Sequence, residues 1–253
     1  MIKDKVVWGG CVGLFLTGAL FAYGFSGEKA EGFKIVDLFA IISAVATAFA
    51  AFAAWSAASA AQKQSFDASI SIRRQTYRMH FESFNEWLDG VESSLNIEFY
   101  RRYELYDTIF PDNRNPSLGF SEVGDPELVS WQKTFKSLAD LACKAIQPNR
   151  REVSTWLGDF ASLSGHMHYT FLEADKLQIY LGGRVPSGIS PENLKRALPV
   201  MGMVLTALTK FSYIEGDSSD RGMSLEFEFA FNEFMEAIME TSWHQHEYKM
   251  MPI

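Results

Sequence analysis

Residues 38–61 read LFAIISAVATAFAAFAAWSAASAA, twenty-four residues without a charge, half of them alanine. A transmembrane helix needs about 20 mostly apolar residues to cross a hydrocarbon core of about 30 Å, at a rise of about 1.5 Å per residue. The run is long enough to span. A second uncharged run, VVWGGCVGLFLTGALFAYGF at residues 6–25, meets the same requirement and ends twelve residues upstream. The SGEKAEGFKIVD between them carries Glu28, Lys29, Glu31, Lys34 and Asp37, which are costly inside lipid and belong in water. Two spans joined by a short exposed turn predict a transmembrane hairpin.

A cleaved signal peptide is a poorer reading of the first run. Lys3 and Lys5 suit its start, but the apolar stretch is too long and Ala22-Tyr23-Gly24 makes a poor cleavage site. A buried core helix is the stronger alternative for residues 38–61, because alanine is close to neutral for insertion. Leu38, Phe39, Ile41, Ile42, Val45, Phe49, Phe52 and Trp55 weigh against it by making insertion favourable. Basic residues near the span ends are Lys3 and Lys5 before the first, Lys29 and Lys34 in the turn, and Lys63, Arg73, Arg74 and Arg78 after the second. That bias favours both termini in the cytoplasm.

Charge separates the two parts of the chain. Residues 1–61 hold four Lys and four Asp or Glu, so the net charge of −8 belongs to residues 62–253. Those remaining residues suffice for one compact domain with its own core. An acidic domain makes direct nucleic-acid binding an unfavourable expectation. Arg73-Arg74, Arg101-Arg102 and Arg150-Arg151 read as solvated helix faces or structural ion-pair partners. Cys11 lies in the first span and Cys143 in a helical stretch, so no disulfide framework is implied.

Beyond Ala61 the apolar pattern continues as Phe66, Ile70, Tyr77, Phe81, Phe84, Leu88, Val91 and Leu95, spaced 4, 7, 4, 3, 4, 3 and 4 residues apart. This is helical spacing close to a 3.5-residue repeat. No Pro interrupts residues 38–95 and the first Gly there is Gly90, so the second span is expected to run on as one helix. The expected organisation is a hairpin at 1–61, with spans at about 6–25 and 38–61, a juxtamembrane helix at 62–95 and a cytoplasmic helical domain at 96–253. NIEFYRRYELYDTIFP fits either a short helix or an extended segment, and PDNRNPSLGFSEVGDP is a loop. Further helices are expected at about 127–146, 153–181, 191–212 and 223–246, with Pro191-Glu192 as a start and Gly182-Gly183 as a stop. SLEFEFAF alternates like a strand, yet Phe227, Phe231, Phe234 and Ile238 keep helical spacing, which favours helix. The fold class expected is all-α.

No catalytic constellation stands out. There is no H-E-x-x-H, G-x-x-x-x-G-K, C-x-x-C or G-x-S-x-G motif. His166 and His168, like His244 and His246, are two apart, about 200° around a helix, so neither pair makes a shared metal face. No enzyme, metal or cofactor is expected. The membrane segment is more informative. In the second span a bulky ridge of Leu38, Ile42, Val45, Phe49 and Phe52 is separate from a small line of Ala40, Ala44, Thr47, Ala51, Ala54 and Ala58. The first span holds Gly9, Gly13 and Thr17 at four-residue spacing. Small faces let helix backbones approach in lipid, where no hydrophobic force drives them together. These residues are the candidates for helix–helix packing, with Arg73 and Arg74 as candidate basic residues at the membrane edge. The hairpin either packs on itself as an anchor or also joins neighbouring copies, so that assembly opens a leak; no charge lines either span, so such a leak would be unselective.

The order of parts carries a resemblance: a hairpin, then RRQTYRMHFESFNEWLDGVE at residues 73–92, then NIEFYRRYELYDTIFPDN at residues 96–113, then a helical remainder. It resembles the two-transmembrane effector proteins of bacterial anti-phage systems, of the retron-associated and abortive-infection kinds. That resemblance implies an effector held silent by a partner complex until infection, which then damages the inner membrane. In a retron the partner is a reverse transcriptase bound to its RNA–DNA product. The resemblance carries over no catalytic residue. The alternative from another class is a membrane-anchored scaffold whose soluble domain recruits a partner protein.

Overall fold

The computed structural model describes residues 13, 15, 18, 19, 35–172, 178–181, 185–216, 222–240 and 248–251. The chain divides into two compact units, Met1–Ser71 and Ile72–Ile253.

In the first unit the dominant element is helix α1, Ile35–Leu95, whose residues up to Ser71 belong to it. Neither Pro nor Gly interrupts it before Gly90. Among the described residues α1 is the one helix long and apolar enough to cross a membrane. Gly13, Phe15, Gly18 and Ala19 are helical, while the rest of residues 6–25 and the turn up to Lys34 lie outside the described residues. A two-helix hairpin is therefore not shown.

The second unit is mostly helical. The remaining helices are α2 Arg102–Ile109, α3 Glu127–Ala142, α4 Arg150–His166, α5 Leu194–Phe211 and α6 Leu225–Glu240. α3 packs on α2, α4 and α5, and α4 also on α6. The core gathers Phe84 and Leu88 of α1, Tyr106 of α2, Phe135 of α3, Trp156 and Phe160 of α4, Leu205 of α5, and Phe227 and Phe231 of α6. All are buried, and their helical spacing is what the apolar periodicity required. The SLEFEFAF segment belongs to α6, its buried positions Phe227, Phe231 and Phe234 falling on one face.

The all-α expectation needs correction in two places, because short strands occur. β1 Ile97–Phe99 pairs antiparallel with β2 Tyr169–Phe171, and β3 Gln178–Leu181 pairs with both β4 Val185–Pro186 and β5 Tyr248–Met251. The helix expected at 153–181 stops at His166. Met167 and His168 turn back on Leu163 and Gly165, and His168 takes φ 51°, a left-handed conformation that ends a helix. Tyr169 then lies opposite Phe99, their rings 6.3 Å apart. The start moves as well, to Arg150. Asn149 Oδ1 accepts from the backbone of Arg151 and Glu152, and Glu152 Oε2 accepts from Asn149 N at 2.9 Å, a reciprocal capping box. The Gly182-Gly183 stop lies outside the described residues.

The end of α1 is stapled to α2 by charge. Arg102 bridges Asp89 at 2.7 Å and Glu92 at 2.8 Å, while Glu92 Oε1 accepts from Phe99 N. Glu92 is largely shielded, which makes this pairing stronger than an open surface pair. The segment read as either helix or extended is thus both in turn, β1 and then α2, with Asn96 and Arg101 in left-handed conformations at the corners.

Candidate functional site

The first candidate site is the surface of α1 before Ser71. Ile41, Ile42, Val45, Phe49 and Phe52 are exposed, Phe49 and Phe52 by 71% and 65%. Ala40, Ala44, Thr47, Ala54 and Ala58 on the small line are exposed and Ala51 is half-buried. Gly9 and Thr17 lie outside the described residues. Gly13 is helical, and a Cβ placed on it meets no atom of the described residues within 4 Å. Apolar surface left open costs about 25 cal/mol per Å² in water, and large contiguous patches of it mark partner or membrane contacts. Thr47 is the polar residue on the small line, and its hydroxyl donates to Ser43 O at 2.8 Å within the helix. Its polar atom is therefore satisfied without water, as hydrocarbon requires.

The second candidate site lies in the second unit, where the loop after α2 crosses α1. Residues 110–124 form an Ω-shaped loop whose ends are tied by Asp125 N donating to Ile109 O at 2.7 Å, beside Gly124 N donating to Ser212 O at 2.9 Å. A Cβ on Gly124 would lie 2.7 Å from Ser212 Cβ and 3.2 Å from Ile109 and Leu128 side chains. Only glycine fits there unshifted. At the far side, Arg73 Nη1 donates to Pro116 O at 3.0 Å and to Leu118 O at 3.1 Å. Arg74 is exposed and next to it. The pair read as basic residues at the membrane edge therefore divides: Arg73 is engaged with the loop, and Arg74 faces outward.

One helical turn beyond Tyr77, His80 occupies an aromatic box. Its ring lies 4.9 Å from Phe110, 5.2 Å from Phe120, 5.6 Å from Tyr106 and 5.2 Å from Phe211. Its Nδ1 is 2.8 Å from the Tyr106 hydroxyl, which also accepts from Asn113 Nδ2. Both bonds are satisfied when Tyr106 donates to His80, which makes His80 the neutral, Nε2-protonated tautomer. Burial pushes the Tyr106 hydroxyl up to about 12, so it stays a donor. Asn113 completes the chain, donating to Ser121 O at 2.7 Å and accepting from Ser121 N at 2.8 Å.

His166 stacks on Trp131, and among the described residues no group of three His, Cys, Asp or Glu is placed to hold a metal. His168 Nδ1 is buried without a hydrogen-bond partner among the described residues. Burial lowers both His80 and His168 below the ordinary 6.5, the nearby Glu122 and Glu104 carboxylates opposing it only in part. The folded chain thus binds fewer protons than the unfolded chain between the lowered and the ordinary values. Stability is full above pH 6.5 and is lost as pH falls from there through the lowered values. Denaturant unfolding at about pH 7.5 and about pH 5 should show this fall. His80→Gln should flatten it, and an unchanged slope in that variant would assign the pH dependence elsewhere.

Sequence reasoning identified residues 111–126 as a loop but missed that it docks on α1. The available signal was Arg73, a charge where the 3.5-residue seam calls for an apolar residue. The chain matches no protein-family model, no curated protein and no solved structure.

Proposed function

We propose that this chain is an inner-membrane effector of bacterial anti-phage defence, which permeabilises the membrane through self-association once a trigger or partner releases it. The observation that carries the membrane half of this reading is the largely exposed, uncharged surface of α1 over residues 40–61, which needs lipid or protein to cover it. In the full reading residues 6–25 and 38–61 form a hairpin with both termini cytoplasmic. Gly9, Gly13 and Thr17, with Ala40, Ala44, Thr47, Ala51, Ala54 and Ala58, pack copies together. The bilayer and further copies of the chain are its partners. The acidic second unit suits inhibition through a protein, such as the reverse transcriptase complex of a retron, rather than through nucleic acid directly.

The test is membrane potential, followed with a voltage-sensitive dye in bacteria induced to express the chain. Wild type is expected to depolarise the cells. Gly13→Leu with Ala51→Leu should abolish depolarisation at equal membrane levels, because the bulk separates backbones that must approach. A wild-type chain that stays in the membrane without depolarising it, even during phage infection, would instead fit the tethered scaffold. In that case function survives replacement of residues 1–61 by an unrelated hairpin.

A further inference from the structure

We infer that residues 110–124 are a latch on α1, a loop that opens as a unit from a fixed base without unfolding the domain, and that its opening is the switching step of the effector. The switching half rests on the function proposed above. The latch itself rests on geometry.

Three observations define it. The base is tied to the core by backbone bonds from Asp125 to Ile109 and from Gly124 to Ser212, and Gly124 is seated too closely for any side chain. The tip is held on α1 differently, by the Arg73 guanidinium on two backbone carbonyls and by the Phe120 ring against His80. Between tip and base, Asn113 braces the loop against Ser121 and the Tyr106 hydroxyl. Most of the loop's other residues are exposed. Each tip bond is worth only a factor of roughly two to ten in an opening equilibrium, whereas the base shares the stability of the core. A fixed base with a weakly held polar tip is the arrangement that opens locally.

What opening would change is the cover of α1 between Arg73 and His80. Downstream, Phe84 and Leu88 are fully buried and keep the helix in the core. Upstream of them Arg73 would lose the bonds it makes to the loop, and His80 would lose the Phe120 ring, while Phe110 stays buried at the fixed base. A partner that holds the loop down would silence the chain, and one that lifts it would release it.

The experiment uses the full chain in nanodiscs of phosphatidylethanolamine and phosphatidylglycerol, read by hydrogen–deuterium exchange and paired with the dye assay in cells. Arg73→Gln should speed exchange across residues 113–121 by roughly tenfold. Exchange in residues 150–166 should not change, and depolarisation should begin at lower expression. Arg74→Gln removes the same charge one residue away and should do neither. Asn113→Ala, which removes the brace instead of the tip bonds, should reproduce Arg73→Gln. Unchanged exchange at 113–121 overturns the latch, as does acceleration shared with 150–166, which is unfolding. An equal effect of Arg74→Gln also overturns it, by showing a charge effect at the membrane. Faster exchange with wild-type depolarisation unaltered overturns the switching step. Faster exchange with no depolarisation by any variant supports the latch and removes the effector reading instead.

Discussion

Trp156→Ala should cost about 3–5 kcal/mol of the second unit's stability and lower its melting temperature by about 10 °C or more. Trp156 is fully buried, stacked on Phe160 at 5.3 Å and edge-on to Phe227 at 4.9 Å, so truncation opens a cavity between α4 and α6. The indole N–H also donates to Leu138 O at 3.0 Å, a bond the alanine variant gives up. Trp156→Phe separates the two losses. It keeps most of the ring volume and gives up the hydrogen bond, so about 1–2 kcal/mol is expected. Thermal unfolding of the solubilised chain, followed by far-ultraviolet circular dichroism, measures both variants. Loss below about 1 kcal/mol in the alanine variant would contradict the placement of Trp156 at the centre of the core.

Phe49→Arg should drive α1 out of the membrane. Phe49 lies at the middle of residues 38–61 and is exposed by 71%, so nothing in the described chain would pair with or bury the new charge. At the centre of a span Arg costs about 2.5–3.5 kcal/mol, while Phe contributes a few tenths favourably, for a net change of about 3 kcal/mol. That exceeds a hundredfold in an insertion equilibrium. Phe49→Leu should be neutral. Fractionation after carbonate washing, done on chains without residues 1–34 so that α1 is the sole anchor, reads the outcome, with the parent and Phe49→Leu in the membrane pellet and Phe49→Arg largely lost from it. If Phe49→Arg stays in the pellet, the exposed face of α1 is covered by protein rather than lipid.

Local chemistry made much of the helical pattern legible. Apolar residues at intervals of three and four mark α1, α3 and α6 because each helix must turn one side to a shared core. The Phe227, Phe231 and Phe234 spacing outweighed the alternation of SLEFEFAF for the same reason. The Asn149–Glu152 capping box was also readable, since both partners lie within one turn and need no tertiary contact, although its three-residue correction to the start of α4 was overlooked. The uncharged run was legible as a helix long and apolar enough to cross a membrane, because that depends on composition and length alone.

What failed were features in which distant segments meet. Tyr169–Phe171 suits a helix in isolation as well as a strand; it is extended because Ile97–Phe99 lies alongside to complete its hydrogen bonds. The role of Arg73 depends on carbonyls 43 and 45 residues away, and that of Gly124 on Ser212, which no local pattern encodes. The sequence by itself determined which stretches are apolar, where helices run, and that one of them is fit for lipid. These follow from side-chain transfer energies and near-neighbour backbone bonds. Only the tertiary structure decided which loop grips α1 and which histidine is enclosed by aromatic rings, because those choices are made by packing between residues far apart in the chain.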